Sequence, residues 1–264
     1  MLTFLHAALL GIIEGITEFL PISSTGHLIL TSTLLHIQQT EFVKSFEIII
    51  QLGAIAAVVV LYGKKIVTDF ELDKKVLAGF VPTALVGFML YKFIKHSLIG
   101  NTWVVIGALF VGGVALIGFE IVFKKSRQSN ENATLQTNYR EEISYRDAVI
   151  IGLFQSLAVI PGVSRSAATI VGGMVLGYSR EKIVEFSFLL ALPTMVAATG
   201  LDLLKTGFSF TTREYGLLAV GFAVSFVIAL VVITWLLKFV KNHTFMGFGA
   251  YRIVLALVCF ALLL

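Results

Sequence analysis

Two short polar segments interrupt a chain that is otherwise apolar enough to lie in a membrane. The first runs from Gly11 to His27 and the second from Gly152 to Thr169, and a proline divides each of them. Hydrophobic residues make up 57% of the 264 residues and charged residues 14%, with a mean hydropathy of +0.93. This composition excludes an ordinary soluble domain and predicts an all-α integral membrane protein. Because charged groups are costly in lipid, the two polar segments are predicted to line a functional cavity.

Six other segments are each long and apolar enough to cross a bilayer as a helix, which takes about 20 residues. They cover approximately residues 42–62, 76–94, 102–123, 184–204, 216–237 and 246–264. The polar segments differ, because Pro21 and Pro161 divide them into pieces that are too short to span. Such pieces are typical of re-entrant hairpins, in which two half-helices meet at a loop beside a cavity.

The two halves of the chain resemble each other. A shift of 141 residues aligns Gly11 with Gly152, Glu14 with Gln155, Ser23 with Ser164, Thr25 with Ser166, and Ile29 with Ile170. We interpret residues 1–123 and 148–264 as two copies of one unit, each with one hairpin and three spans, in a single membrane domain over 1–264. Three is an odd number, so the second copy enters from the opposite side. The result is an inverted-topology repeat in which both hairpin tips meet near the midplane.

Lysine and arginine set the orientation of this arrangement. One side carries 13 of them: Lys64, Lys65, Lys74, Lys75, Lys124, Lys125, Arg127, Arg140, Arg146, Arg180, Lys182, Lys238 and Lys241. The other side carries five: Lys44, Lys92, Lys95, Lys205 and Arg213. The positive-inside rule places the first group and the polar linker, about 124–147, in the cytoplasm, and the first hairpin outside. A net charge of +4 suits membrane lipids with anionic headgroups, and no basic stripe with interleaved aromatics points to nucleic acid.

Glu14 and Glu18 are four residues apart and therefore share one face of the first half-helix. Two like charges this close need a cation. A divalent metal such as Mg²⁺ suits paired carboxylates that leave room for water and for phosphate oxygens. One carboxylate could instead act as a general base, and a structural ion pair with Arg165 is the other alternative.

Hydroxyl groups gather where the second half-helix of each hairpin begins. Serine and threonine there ordinarily cap the helix. The same helix start also offers free N–H groups and a partial positive charge to an anion, so two such ends facing each other predict a phosphate site. The candidate phosphate-binding residues are Ser23, Thr25, Gly162, Ser164, Ser166 and Thr169.

Two more side chains are candidates for chemistry. Arg165 offers a planar fork of donors that matches phosphate, although a structural salt bridge is possible. His27 lies one turn from Ser23 and Ser24, so it could act as an acid, a base or a nucleophile toward phosphorus rather than a structural histidine. Polar groups within or near the ends of apolar segments could contact the site or pair between helices: Glu47, Gln51, Gln155, Asp202 and Arg252.

The segments Glu14-Gly-Ile-Thr-Glu18-Phe-Leu-Pro-Ile-Ser-Ser-Thr-Gly-His27 and Pro161-Gly-Val-Ser-Arg-Ser-Ala-Ala-Thr169 closely resemble the motifs of one family. These are the undecaprenyl-diphosphate phosphatases of the bacitracin-resistance (BacA/UppP) type, and the resemblance covers nearly the whole chain. It implies removal of the terminal phosphate of undecaprenyl diphosphate at the outer, periplasmic face of the bacterial inner membrane. This reaction recycles the lipid carrier for cell-wall synthesis, affects bacitracin sensitivity and depends on Mg²⁺ or Ca²⁺.

Under this hypothesis the diphosphate lies between the hairpin tips. Arg165, the helix ends and a metal near Glu14 and Glu18 neutralise its charge. Ser24 is the first candidate nucleophile, with Glu18 or His27 taking its proton. Direct attack by His27 and attack by metal-activated water are the alternatives.

A rival function is a transporter or flippase for polyprenyl-phosphate lipids, with or without hydrolysis, because inverted repeats with broken helices also serve alternating access. A transporter needs no nucleophile and releases no phosphate in detergent. The glycines of residues 107–118 are compatible with a homodimer and equally with contacts inside the chain.

Overall fold

The secondary structure is helical throughout the part of the chain that the structure, a computed structural model, describes. These are residues 2–90, 93, 98, 101–132, 139–207 and 209–263, with the backbone alone for 125–132 and 206. The helices are α1 (Phe4–Thr17), α2 (Ser24–Leu34), α3 (Glu41–Thr68), α4 (Phe70–Met89), α5 (Thr102–Asn132), α6 (Tyr145–Gln155), α7 (Arg165–Val175), α8 (Arg180–Thr206), α9 (Thr212–Asn242) and α10 (Met246–Leu263). A 3₁₀ turn, Ser156–Val159, follows α6. The predicted all-α fold is confirmed.

Five helices in the described residues are long and apolar enough to cross a membrane. They are α3, α8, α9, α10 and the part of α5 up to Lys124. These confirm five of the six predicted spans and a multi-pass integral membrane protein. The sixth prediction, 76–94, falls on α4, whose first turns are charged, and its residues 91, 92 and 94 lie outside the described residues. Lys92 and Lys95, used for the orientation, lie outside them too.

The start of the predicted linker is helical. Helix α5 continues to Asn132, past the predicted repeat boundary at residue 123. Residues 133–138 of the linker lie outside the described residues. At its other end, Arg140 donates to Asp147 at 2.6 Å, and this contact joins the linker to the first turn of α6.

The two polar segments form pairs of short helices. Helix α1 has 14 residues, and α2, α6 and α7 have 11 each. None of these four reaches the length of about 20 residues that a span needs. Helix α1 packs against α2, and α6 packs against α7. The broken helices are therefore present as predicted, while the side from which each hairpin enters and the inverted repeat stay predictions.

Glycines allow the first helix of each hairpin to pack tightly against a longer helix. A Cβ added at Gly11 or Gly15 would lie 2.7 Å from the carbonyl oxygen of Gly221 or Ser225 on α9. In the second hairpin the approach is closer still, since a Cβ added at Gly152 would overlap the carbonyl oxygen of Gly79 on α4. Any larger side chain at these positions would move a hairpin away from its support.

Helices α5 and α10 also meet through small residues. A Cβ at Gly113 would lie 2.7 Å from the carbonyl oxygen of Gly249, and a Cβ at Gly249 would lie 2.9 Å from that of Gly113. Part of the predicted glycine stripe thus packs inside the chain. Gly107 and Gly118 have no described neighbour within 4 Å of an added Cβ. The homodimer stays a prediction.

Candidate active site

The two hairpin turns end in the same unusual backbone conformation. Ser23 and Ser164 have φ of 72° and 77°, a left-handed conformation that is uncommon outside glycine. Each hydroxyl caps the helix that follows, accepting from Gly26 N at 3.3 Å or from Ala167 N at 3.2 Å. The capping role considered for Ser23 is therefore present. As a result, the residues directly after the caps begin α2 and α7 at equivalent places.

Those two residues are Ser24 and Arg165, and Glu18 connects them. Arg165 Nη2 donates to Glu18 Oε1 at 2.6 Å, and Ser24 Oγ donates to Glu18 Oε2 at 2.5 Å. All three side chains are buried. A hydroxyl that directs its proton at a carboxylate has the geometry of a nucleophile with its general base.

The Arg165 guanidinium is only partly used by the protein. Its Nη1 donates to the Ser187 carbonyl oxygen at 2.9 Å, and the group lies 6.0 Å above the Phe19 ring. Its Nε is buried and has no hydrogen-bond acceptor among the described residues. One carboxylate thus pairs with an arginine that keeps a spare donor, as an anion-binding group requires.

A cavity of about 640 Å³ begins at this cluster. Its polar lining includes Glu18, Ser23, Ser24, Thr25, Gln155, Ser164 and Arg165. The rest of the lining is largely apolar, and much of it comes from α4 and α8, with Phe80, Leu85, Phe88, Met195, Ala198 and Leu201 among them. Such a shape accommodates a ligand with an anionic head and a long apolar chain.

Glu14 lies behind the cluster and does not line the cavity. It is fully buried, and neither carboxylate oxygen accepts a hydrogen bond from a described donor. Its charged neighbours are Glu18, Arg165 and Glu47. The predicted pair of carboxylates is therefore brought together, and of the two only Glu18 bonds Arg165.

His27 does not line the cavity, and both of its ring nitrogens contact protein groups. Its Nδ1 lies 2.7 Å from the Ser23 carbonyl oxygen, and its Nε2 lies 2.8 Å from the Tyr251 hydroxyl on α10. The His27 and Tyr251 rings are stacked at 5.6 Å. In this arrangement the Ser24 hydroxyl bonds Glu18 rather than His27.

The predicted phosphate-binding residues divide into two groups. Ser23, Thr25, Gly162 and Ser164 line the cavity. Ser166 and Thr169 are instead fully engaged with protein groups. Ser166 Oγ donates to the Leu20 carbonyl oxygen at 2.7 Å, which joins the two hairpins, and Thr169 Oγ1 lies 2.6 Å from Ser187 Oγ.

Comparison with known proteins assigns the chain that carries this site to a family. Residues 7–258 match the family of the bacitracin resistance protein BacA. The chain belongs to the BacA family. The family predicted from the two motifs is thereby confirmed.

Named relatives of this BacA-family chain cover almost its whole length. The undecaprenyl-diphosphatase of Aquifex aeolicus (strain VF5) is 52% identical over 253 residues, 96% of each chain. That of Sulfurihydrogenibium sp. (strain YO3AOP1) is 51% identical over 257 residues, 97% of this chain and 98% of the relative. That of Bdellovibrio bacteriovorus is 45% identical over 262 residues, 99% and 97% respectively.

A metal ion at Glu14 and Glu18 is compatible with the donors of this BacA-family site. No group of three His, Cys, Asp or Glu side chains in the described part of the chain could hold an ion by itself. The unpartnered oxygens of Glu14 nevertheless provide ligand atoms that a hard cation prefers, with water and phosphate able to complete its shell. The donor chemistry of Glu14 and Glu18 therefore fits a hard divalent cation such as Mg²⁺ or Ca²⁺.

Some contacts of the site were not foreseen in the sequence. Gln155 lines the cavity, and its Nε2 donates to Thr83 at 2.8 Å and to Thr194 at 3.1 Å. The sequence pattern indicates Gln155 but neither threonine, nor Ser187, nor Tyr251. All four lie on long helices in otherwise apolar surroundings, so that only the packing of those helices identifies them.

Proposed function

We propose that this BacA-family protein hydrolyses undecaprenyl diphosphate to undecaprenyl phosphate and inorganic phosphate. One observation carries the proposal: the Ser24 hydroxyl donates to Glu18, which is itself paired with Arg165, at the polar end of an apolar cavity. The name undecaprenyl-diphosphatase, which relatives 45–52% identical bear, supports the same substrate. In cells this activity recycles the lipid carrier and confers bacitracin resistance.

The reaction proceeds in two displacements at the terminal phosphorus. Ser24 Oγ attacks that phosphorus while Glu18 takes the hydroxyl proton. The bond from phosphorus to the bridging oxygen breaks, and undecaprenyl phosphate leaves with the electron pair. Water then attacks the phosphorus of the phosphoserine and the bond from phosphorus to Ser24 Oγ breaks. The proton on Glu18 returns to Ser24 Oγ, and both protons of the water leave with the inorganic phosphate.

Arg165 and the two helix ends stabilise the charge of the transferring group. The starts of α2 and α7 both face the cavity, so that their partial positive charges act on the same anion. Arg165 adds a full charge beside them. In phosphoryl transfer such positioning and neutralisation supply most of the catalysis.

Glu14 and Glu18 would hold the divalent ion, Mg²⁺ or Ca²⁺, that neutralises further phosphate charge when bound. Glu14 is suited to this role because both its oxygens are without donors. The chain itself supplies the nucleophile, the base and the arginine.

The prenyl chain is proposed to run along the apolar wall between α4 and α8. The lining residues of α4 and α8 lie in the C-terminal half of each helix, which the positive-inside rule predicts to be on the outer side of the membrane. The active site therefore opens to the periplasmic face of the bacterial inner membrane, where the tail stays in the outer leaflet.

Phosphate release in detergent tests this function. Purified protein is mixed with undecaprenyl diphosphate, with and without EDTA, alongside Glu18→Gln and Arg165→Ala variants. We expect release by the wild type and its loss with EDTA and in both variants. Folded wild-type protein that releases no phosphate would leave lipid transport as the better account, because compartments do not exist in detergent.

A further inference from the structure

Arg252 is a fully buried cation on α10 with an unusual set of partners. Its exposed fraction is 0%. No described carboxylate lies within ion-pair distance of it, and all of its described acceptors are backbone carbonyl oxygens. A buried guanidinium inside a membrane protein is costly, so its donors must be used for something that compensates.

The four bonds of Arg252 reach three separate parts of the fold. Nη1 donates to Pro21 O at 3.3 Å, in the turn of the first hairpin. Nη2 donates to Gly162 O at 3.0 Å, in the turn of the second hairpin, and to Ala108 O at 3.1 Å on α5. Nε donates to Leu109 O at 3.4 Å, also on α5. One side chain thus ties both turns to the same helix.

The surrounding backbone is shaped to accept this guanidinium. A Cβ at Gly112 on α5 would overlap the guanidinium of Arg252. Gly162 has φ of +98°, and a Cβ there would lie 2.8 Å from the Val105 carbonyl oxygen. Glycine at both positions lets the guanidinium and the second turn lie directly on α5.

The two carbonyl groups occupy equivalent places in the hairpins. The 141-residue shift that aligns the two halves also aligns Pro21 with Gly162. Each stands three residues before the first residue of the helix that follows, Ser24 in one hairpin and Arg165 in the other. The position of each carbonyl therefore sets where each of those functional residues stands.

We propose that Arg252 is a positioning residue that holds the two turns in register, so that Ser24 and Arg165 meet at Glu18. A planar guanidinium can serve acceptors in three directions at once, whereas a lysine ammonium on a flexible stem cannot. Arg252 acts through the turns and does not line the cavity. The kinetic tests of this proposal rest on the proposed function, because they measure phosphate release; the distance measurement does not.

The first test uses two perturbations of one contact and a matched control. Arg252→Lys keeps the charge but not the fork, and Gly112→Ala displaces the guanidinium without removing it. The control is Gly118→Ala, on the same helix, where an added Cβ meets nothing within 4 Å. We expect kcat to fall about 100-fold for Arg252→Lys and about 10-fold for Gly112→Ala, with KM changed less than about threefold, because small misplacements of reacting groups mainly slow chemistry. Gly118→Ala should keep the wild-type kcat.

A double variant separates positioning from general stability. If Arg252 acts by placing Ser24, then Arg252→Lys lowers the residual rate of a Ser24→Ala protein far less than it lowers the wild-type rate. Thermal unfolding is measured on each folded, purified variant. A variant that unfolds at a lower temperature but keeps the wild-type kcat would assign Arg252 to stability alone and overturn the proposal.

A distance measurement tests the same proposal without activity. Spin labels are placed at Leu34→Cys and Val175→Cys, exposed positions at the far ends of α2 and α7, in a Cys259→Ser background. We expect one narrow distance distribution with Arg252 and a broadened or shifted one with Arg252→Lys. An unchanged distribution would overturn the proposal, whether or not the wild type releases phosphate. A wild type that releases none would contradict the proposed function only.

Discussion

The two hairpins share a backbone device but carry opposite chemistry. Both turns end at a serine with a left-handed φ, and both place a functional residue directly after it. The first hairpin contributes the acidic side chain Glu18 and the hydroxyl of Ser24. The second contributes the cation Arg165, and its counterpart of Glu18 is the apolar Val159. Two similar scaffolds therefore meet to form one site that neither contains alone.

Glu14 and Gln155, which occupy equivalent positions in the two hairpins, also differ in their hydrogen-bond partners. Glu14 has no described hydrogen-bond donor, whereas its counterpart Gln155 donates to Thr83 and Thr194. The Gln155 nitrogen is satisfied by two hydroxyls, although its Oε1 has no described partner, whereas a buried carboxylate needs a cation. The first hairpin thus carries carboxylates that need a cation, and the second hairpin provides one, Arg165.

The largest expected effect comes from removing the acid of the first hairpin. Glu18→Gln should lower kcat for phosphate release by about 10³–10⁴-fold, because it removes the base and leaves Arg165 without its counterion. The control is Glu47→Gln, a buried glutamate that bonds Ser32 and Gln39 rather than the cavity. An equal fall in kcat in the two variants would contradict the role of Glu18 as the general base.

The next effect tests the nucleophile. Ser24→Ala should lower kcat by about 100-fold or more, since the hydroxyl bonded to Glu18 is lost. Thr33→Ala is the control, because Thr33 lies on the same helix and its hydroxyl donates to the Ile29 carbonyl oxygen within that helix. A Ser24→Ala protein with near-wild-type turnover would indicate that Glu18 activates water instead.

A smaller effect is expected at Glu14, whose counterpart in the second hairpin is the amide Gln155. Glu14→Gln should raise the Mg²⁺ concentration needed for half-maximal phosphate release at least about tenfold, because one proposed ligand becomes neutral. A titration of metal into EDTA-treated enzyme measures this. An unchanged half-maximal concentration would show that the ion is held without Glu14.

The smallest effect concerns the shared backbone device. Replacing Ser23 or Ser164 by Ala should destabilise the protein by about 1 kcal/mol, because the cap is lost while the left-handed φ remains unfavourable. The Gly variants should be closer to the wild type, since glycine adopts that φ without cost. Thermal unfolding in detergent compares the four variants. If Gly and Ala variants were equally destabilised, backbone strain would not distinguish these turns.

Sequence reasoning succeeded where the signal is local. Apolar runs predicted five spans that the structure has, and prolines predicted the broken helices. It brought Glu18, Ser24 and Arg165 into one site through the idea of two facing hairpins. It did not distinguish Glu18 from His27 as the partner of Ser24, because both stand near Ser24 along the chain and only side-chain directions separate them.

The sequence by itself determined the membrane class, the two interrupted segments and the family. These depend on composition, on residue order and on spacing within a few turns of helix. Only the tertiary structure decided that Arg165 reaches Glu18 and that Arg252 reaches the turns at Pro21 and Gly162. Those partners stand 90 or more residues apart. Helix packing brings them together, and the local periodicity of the sequence does not predict that packing.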